Sequence, residues 1–254
     1  AAISSRTLGA GEMVRWYVTS EDIENQTSRN PLFPYPDNSP EYYGTVTANP
    51  SIDTQMALME WYVENVGASE TTGGTRCSLY SNGEFYDNIE IHIRGGSTEN
   101  KPKKHFKFLF NRGYKFRYSP DAPRVNEFNL NSTYSDKAYI RQNLAFEGYD
   151  WCGCPGSESF PVRAQRNGQF HGVQVFIEEP EEELLEREGL DPDGALYKMY
   201  NTFNADGRAE KKTRRWEGRS DLDSFCSAIN NTSGTTLHNN IFDQVNLPLT
   251  LNYL

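Results

Sequence analysis

The stretch Glu84–Asn111, EFYDNIEIHIRGGSTENKPKKHFKFLFN, limits what this chain can fold into more than any other. Ile89, Ile91 and Ile93 alternate with Glu90, His92 and Arg94. After a glycine-bearing loop, Phe106, Phe108 and Phe110 alternate with His105, Lys107 and Leu109. A side-chain period of two belongs to a strand, so the isoleucines and phenylalanines share one buried face. The opposite face carries Arg94 at the loop and Lys107 in mid-strand. A lysine at a strand centre implies that its face is wet or that the charge has a task. A strand lysine beside a Gly-containing turn, with arginine at that turn, is one way to hold phosphate groups. A solvated hairpin face is the plainer alternative.

At 254 residues the chain has room for one large domain, or for one domain and a small module. Its 15 Tyr and 14 Phe supply a core that a disordered chain lacks. A formal charge of −10 counts against nucleic acid as a partner, because phosphate backbones are held by Lys and Arg. No apolar run reaches the ~18–20 residues of a membrane span. The chain opens on Ala1 without a signal-peptide pattern, which implies a mature chain or a fragment. Cys77, Cys152, Cys154 and Cys226 leave the redox compartment open. In WCGCPG, Cys152 and Cys154 read as a loop disulfide or as free thiols, since a metal site needs two further ligands nearby.

In MVRWYV, Val14, Trp16 and Val18 alternate with Met13, Arg15 and Tyr17, which predicts one strand with an apolar face. Residues 30–50 carry five prolines and read as a linker or as an extended wrap over a surface. QMALMEWYVENV, at 55–66, fits a strand or a short helix, with strand favoured. Asn82-Gly83 and Asn167-Gly168 are hairpin turns, so 55–111 reads as antiparallel β and 161–177 as a strand pair. A helix is expected at 135–148, capped by Ser135 or Asp136, with Tyr139, Ile140, Leu144 and Phe146 on its apolar side. Pro180 opens an acidic helix that Gly189 ends, and DGALYK, at 193–198, reads as a strand. Ser220 to Asp223 begin a helix with Leu222, Phe225, Cys226 and Ile229 inward. The last residues, VNLPLTLNYL, start another.

These pieces, in this order, resemble the CotH kinase family, the spore coat protein H-like proteins. IHIRGGSTENKPKKHFKFLFN resembles that family's Arg-Gly turn, paired lysines and alternating Lys/aromatic strand. NLNSTYSDKAYIRQNLA is similar to its Asp-x-x-x-x-Arg-Asn-x-Leu-Ala helix entry, here Asp136 to Ala145 with Gln142-Asn143. RNGQFHGVQVFIEEPEE is similar to its Asn-Gly-x-Tyr-x-Gly…Glu-Gln element, here Asn167, Gly168, Phe170, Gly172 and Glu178. The likeness covers roughly residues 55–254. It implies an α+β, atypical protein-kinase-like fold: an antiparallel β-rich N-terminal lobe with a packed helix, and the beginning of a helical second lobe. On this reading 1–50 is a β segment and Pro-rich linker from an upstream extracellular module. Residues 51–254 are the kinase-like domain, truncated at its C-terminal side.

The resemblance also implies ATP with Mg2+ or Mn2+, a protein substrate on a cell or coat surface, and a secreted or cell-surface location. Lys107 would hold the nucleotide phosphates, with Lys104 as the close alternative. Arg94, Gly95, Gly96 and Ser97 would lie near the phosphates, and Arg141 on the phosphate side. Glu178 would meet the base or the hinge, and Glu147 would be the helix partner of the lysine. There are departures. No Gly-x-Gly-x-x-Gly loop is present, and Ser97-Thr98-Glu99-Asn100 replaces the family's Asn-Ser-Ser-Trp. The family's catalytic and metal-binding aspartates lie downstream of a helix that would begin near Val245, beyond Leu254. Asp206, Asp221, Asp223 and Asp243 sit in no matching motif, so the catalytic residues are unknown from sequence and none is assigned to metal. A structural coat or surface protein without catalysis is the second reading, and a carbohydrate-binding or adhesion module the third. An exposed row of Tyr and Trp would favour the third, whereas the alternation suggests that most aromatics point inward.

Overall fold

The computed structural model describes residues 8–96, 99–200, 202–204 and 208–254. Two units emerge: one of residues up to Asn143 with Glu158–Glu179, the other of Leu144–Ser157 with Pro180–Leu254. The first begins with four short strands, β1 (Met13–Trp16), β2 (Val18–Glu21), β3 (Thr27–Asn30) and β4 (Tyr43–Val46). β1 pairs with β4, and β2 with β3, all antiparallel. Then follow β5 (Ala57–Tyr62), the single-turn α1 (Val66–Ser69), β6 (Thr75–Ser81), β7 (Glu84–Ile93), β8 (Phe106–Leu109) and β9 (Glu127–Asn131). After α2 (Arg141–Trp151) come β10 (Ser159–Arg166) and β11 (Gln169–Glu178).

β5 to β8 form the antiparallel run expected over 55–111. β9 is a strand that the sequence reading passed over, and it lies between β8 and β11. The seven strands β5–β11 close into a barrel, because β5 also pairs in parallel with β10, from Ala57 opposite Val162 to Trp61 opposite Arg166. The α+β, β-rich class is as expected, but closure was signalled by nothing in the sequence pattern.

The two Asn-Gly turns are where they were predicted. Asn82 and Gly83 have φ of 51° and 79°, and Asn167 and Gly168 have 52° and 75°, the left-handed pair that matches strand twist. Asn167 also does a second job. Its Oδ1 accepts from Val63 N at 2.8 Å, its Nδ2 donates to Val63 O at 3.0 Å, and its own N–H donates to Trp61 O at 2.9 Å. A local turn residue thus clasps the end of β5 and helps to seal the barrel.

The alternating residues fill the interior. Ile89, Ile91, Ile93, Phe106 and Phe108 are buried, with Trp61, Leu79, Phe128, Leu130, Val162 and Phe176 around them. Ring centroids of Phe108 and Phe128 lie 5.0 Å apart, and those of Phe128 and Phe176 5.1 Å. Offset aromatic contacts of this kind add to simple burial.

The proline-rich segment is indeed an extended wrap. Asp87 and Asn88 form a bulge in β7, where the register against β6 shifts. Asp87 Oδ2 accepts from Glu41 N at 3.0 Å and Tyr42 N at 2.9 Å, and Asn88 Nδ2 donates to Pro36 O and Ser39 O. The apolar face predicted for MVRWYV is corrected: Trp16 and Val18 are exposed, as is Tyr17. Gly44, opposite Arg15, lies so close to Phe85 that a Cβ would stand 2.2 Å from its ring. The Arg15–Gly44 side therefore meets the barrel, and Trp16 with its neighbour Tyr43 is turned outward.

The predicted helix at 135–148 is shifted. Asp136 does not cap it but holds the preceding turn, accepting from Ala138 N and Arg141 N. α2 begins at Arg141, and Tyr139, Ile140 and Leu144 are exposed where an inward side was expected. Asn143 is its buried residue.

The second unit continues with α3 (Glu182–Arg187), the paired β12 (Tyr197–Lys198) and β13 (Glu210–Lys211), α4 (Ser220–Asn230), α5 (Gly234–Gln244) and α6 (Leu247–Tyr253). Glu181, not Pro180, is the N-cap of α3, and Gly189 follows at φ 66°. The strand expected over 193–198 is confined to its last two residues, and α5 was not anticipated. Leu222 and Cys226 pack with Ala209, while Phe225 and Ile229 are only half-buried. All four cysteines are free.

Candidate functional site

Strand alternation sets the outer face of the barrel as firmly as the inner one. Across β7, β8, β9 and β11, His92, Lys107, Asn129 and Ile177 stand opposite one another. The adjacent row brings Arg94 beside His105, with Arg94 N donating to His105 O at 3.0 Å. Lys107 Nζ lies 2.6 Å from Glu127 Oε1 and 3.9 Å from Glu179 Oε1. Asn129 Nδ2 donates to Glu179 Oε2 at 2.6 Å. Side-chain exposure here is only 18% for Lys107, 10% for Glu127 and 8% for Glu179. Charges this far from water persist only when paired and hydrogen-bonded. The strand lysine is thus largely sheltered and paired with carboxylates.

Of the residues that sequence pointed to, Lys107 is at the centre of this cluster and Arg94 is one row away. Gly95, at φ 82°, and Gly96 are exposed, and a Cβ on Gly96 would meet nothing within 4 Å. Backbone there is open to an approaching group. Ser97 and Asp206 lie outside the described residues. Lys104 turns away to donate to Glu99 O. Arg141 is largely exposed, with Nε 3.4 Å from Asp136 Oδ1. Glu178 is on the barrel's inner side, its Oε2 accepting from Glu158 N at 3.0 Å. Its neighbour Glu179 is the one beside Lys107. The carboxylates brought to Lys107 are Glu127 and Glu179, while Glu147 is exposed on α2.

The sequence reading did not single out Glu127, Asn129, Asn131, Glu179 or His105 as site residues. The signal existed: in EFNLN, Glu127, Asn129 and Asn131 alternate with Phe128 and Leu130, which is a strand with one polar side. His105 Nδ1 donates to Asn131 Oδ1 at 2.9 Å, and Asn131 Nδ2 donates to Gln142 Oε1 at 2.9 Å. Burial, reinforced by the charges of Arg94 and Lys103, pushes the His105 pKa below its usual value despite the Asn131 bond. Lys103 donates to Val173 O and sits over the Tyr139 ring. Gly172, at φ 148°, makes room for it, since a Cβ there would stand 3.1 Å from Lys103 Cε.

The geometry is that of a β-barrel domain with a paired, half-sheltered lysine on its outer wall and an open glycine turn near it. The family model of the CotH kinase protein matches residues 91–254, and the chain belongs to this family. The match starts inside β7, so β5 and β6, which complete the barrel, precede it. No curated protein matches the chain. No helix among the described residues is long and apolar enough to cross a membrane.

Proposed function

We propose that this chain carries the nucleotide-binding part of a secreted or surface-located, kinase-like CotH protein, which transfers phosphate from ATP to protein serine or threonine. The observation that carries the reading is the Lys107–Glu127 pair, a sheltered lysine held in place by carboxylates within the matched span. A lysine fixed in this way presents a positioned positive charge, and phosphoryl transfer depends chiefly on positioning and charge stabilisation. Lys107 and Arg94 would meet the phosphates, with the Gly95–Gly96 backbone beside them. ATP supplies the transferable phosphoryl group.

The divalent ion finds a poorer fit. Among the described residues the three-carboxylate grouping is Glu181, Glu182 and Glu183, and Glu181 is already paired with Arg215. No step is assigned to a metal on these residues. The test is a thermal shift with Mg-ATP. The parent should gain melting temperature with ligand concentration, and Lys107→Ala should show no gain. Identical responses would sink the site assignment.

A specific observation also favours a second reading for the N-terminal strands. Trp16 and Tyr43 lie side by side with centroids 6.3 Å apart, and Tyr17 and Tyr35 are exposed nearby in sequence. This is the outward aromatic surface that a carbohydrate-binding or adhesion role needs. Retention on insoluble polysaccharide, lost in the Trp16→Ala/Tyr43→Ala double variant, would support it; no retention by the parent would remove it.

A further inference from the structure

The outer face of the barrel holds a second polar chain that the Lys107 cluster does not use. It runs from Gln142 in the first turn of α2, through the Asn131 amide on β9, to the imidazole of His105 at the entry to β8. Because Asn131 Nδ2 is committed to Gln142 Oε1, its Oδ1 faces the ring. That arrangement keeps a proton on Nδ1 and leaves Nε2 as the atom that can gain or lose one.

The charges that act on this imidazole most directly are cationic. Arg94, just past the end of β7, is its cross-strand neighbour, and Lys103 is two residues before it. His92 and Lys107 occupy the next row of the same face, Lys107 being paired with Glu127 and Glu179, Lys104 is turned to Glu99 O, and the Asp136–Arg141 pair stands at the start of α2. The ring's Nδ1 is held by the neutral Asn131 amide. Burial first, and then the charges of Arg94 and Lys103, favour the neutral ring until an anion arrives. A polyphosphate placed against Arg94 would reverse that balance.

We propose that His105 is a second, proton-dependent contact for the phosphates of a nucleotide, acting beside Arg94. This rests on the nucleotide-site reading above. Protonated His105 donates from Nε2 to a phosphate oxygen while Nδ1–H keeps its bond to Asn131. The proton comes from solvent, and no covalent bond changes. Binding and protonation are then linked: each favours the other, so affinity rises as pH falls.

The test uses inorganic tripolyphosphate as the probe and imidazole 15N–1H correlation spectra of the whole chain between pH 5 and 8. In free protein His105 should be the Nδ1–H tautomer and titrate below the ordinary histidine range. With tripolyphosphate its midpoint should rise by about one unit, which corresponds to about a tenfold gain in affinity on acidification. That gain should vanish in His105→Gln, and comparing it with the parent cancels the probe's own titration. If tripolyphosphate perturbs the Lys107 side-chain signals but leaves His105 unmoved, the His105 role is wrong and the nucleotide site stands. If neither responds, both fail. A free imidazole carrying its proton on Nε2 would also overturn the proposal, because Asn131 would then face it with the wrong end.

Discussion

The inner and outer walls of β8 and β9 are built from alternate residues of the same nine positions, yet they are stabilised by different physics. Inside, Phe106, Phe108, Phe128 and Leu130 are fully buried among other rings. Their contribution is non-directional and tolerates change so long as volume is kept. Outside, Lys107, Glu127 and Asn129 are also largely out of water, but each depends on one or two partners at defined distances. The interior makes the barrel; the outer wall specifies a charge arrangement that a barrel by itself does not need.

The largest test of that contrast is Phe108→Ala. Removing a ring from the packed interior should cost about 4 kcal/mol of unfolding free energy by denaturant titration. A loss under ~1 kcal/mol would mean that the interior is looser than its ring contacts imply.

The next effect concerns His171, whose ring sits on the inner side against Trp61 at 5.0 Å and Phe106 at 5.8 Å. Burial first, then the charges of Arg166 and Lys103, lowers its pKa to about 4. The unfolded chain therefore binds this proton more readily than the folded one. The stability is full above about pH 6.5 and drains as pH falls towards 4. Solvent at the partly exposed ring trims the expected loss to about 2 kcal/mol. His171→Asn should flatten this acid limb; an unchanged limb would assign the loss to other groups.

The smallest effect is on the outer wall. A double-mutant cycle of Lys107→Met and Glu127→Gln should give a coupling of about 1 kcal/mol, favourable but modest because the lysine retains some solvent. Both single variants should weaken nucleotide-induced stabilisation more than they weaken the fold. If coupling and ligand response are both near zero, the two walls do not differ in purpose.

Much of this was legible in the sequence. The isoleucine and phenylalanine stripes identified the inner wall, and Lys107 was singled out because mid-strand lysine is unusual. Asn82-Gly83 and Asn167-Gly168 turned where left-handed backbone is cheapest. Other features were misread for identifiable reasons. Alternation in MVRWYV says which residues share a side, not which side is covered, and Gly44 against Phe85 chose the opposite one. Glu178 and Glu179 are indistinguishable in sequence at the end of a strand. Register with β9 sends Glu178 inward with Phe128 and leaves Glu179 to Lys107 and Asn129.

By itself, then, the sequence determined the local structure of the barrel strands, the turns between them and the presence of a charged outer side, because these depend on period and on backbone preference within a few residues. Only the tertiary structure decided barrel closure through Ala57–Trp61 and Val162–Arg166, the insertion of β9, and the partners of Lys107. Those pairings join residues from 18 positions apart, as in Leu109 opposite Glu127, to more than 100, as in Ala57 opposite Val162. No local preference encodes them; they follow from which faces can be buried together once the chain has collapsed.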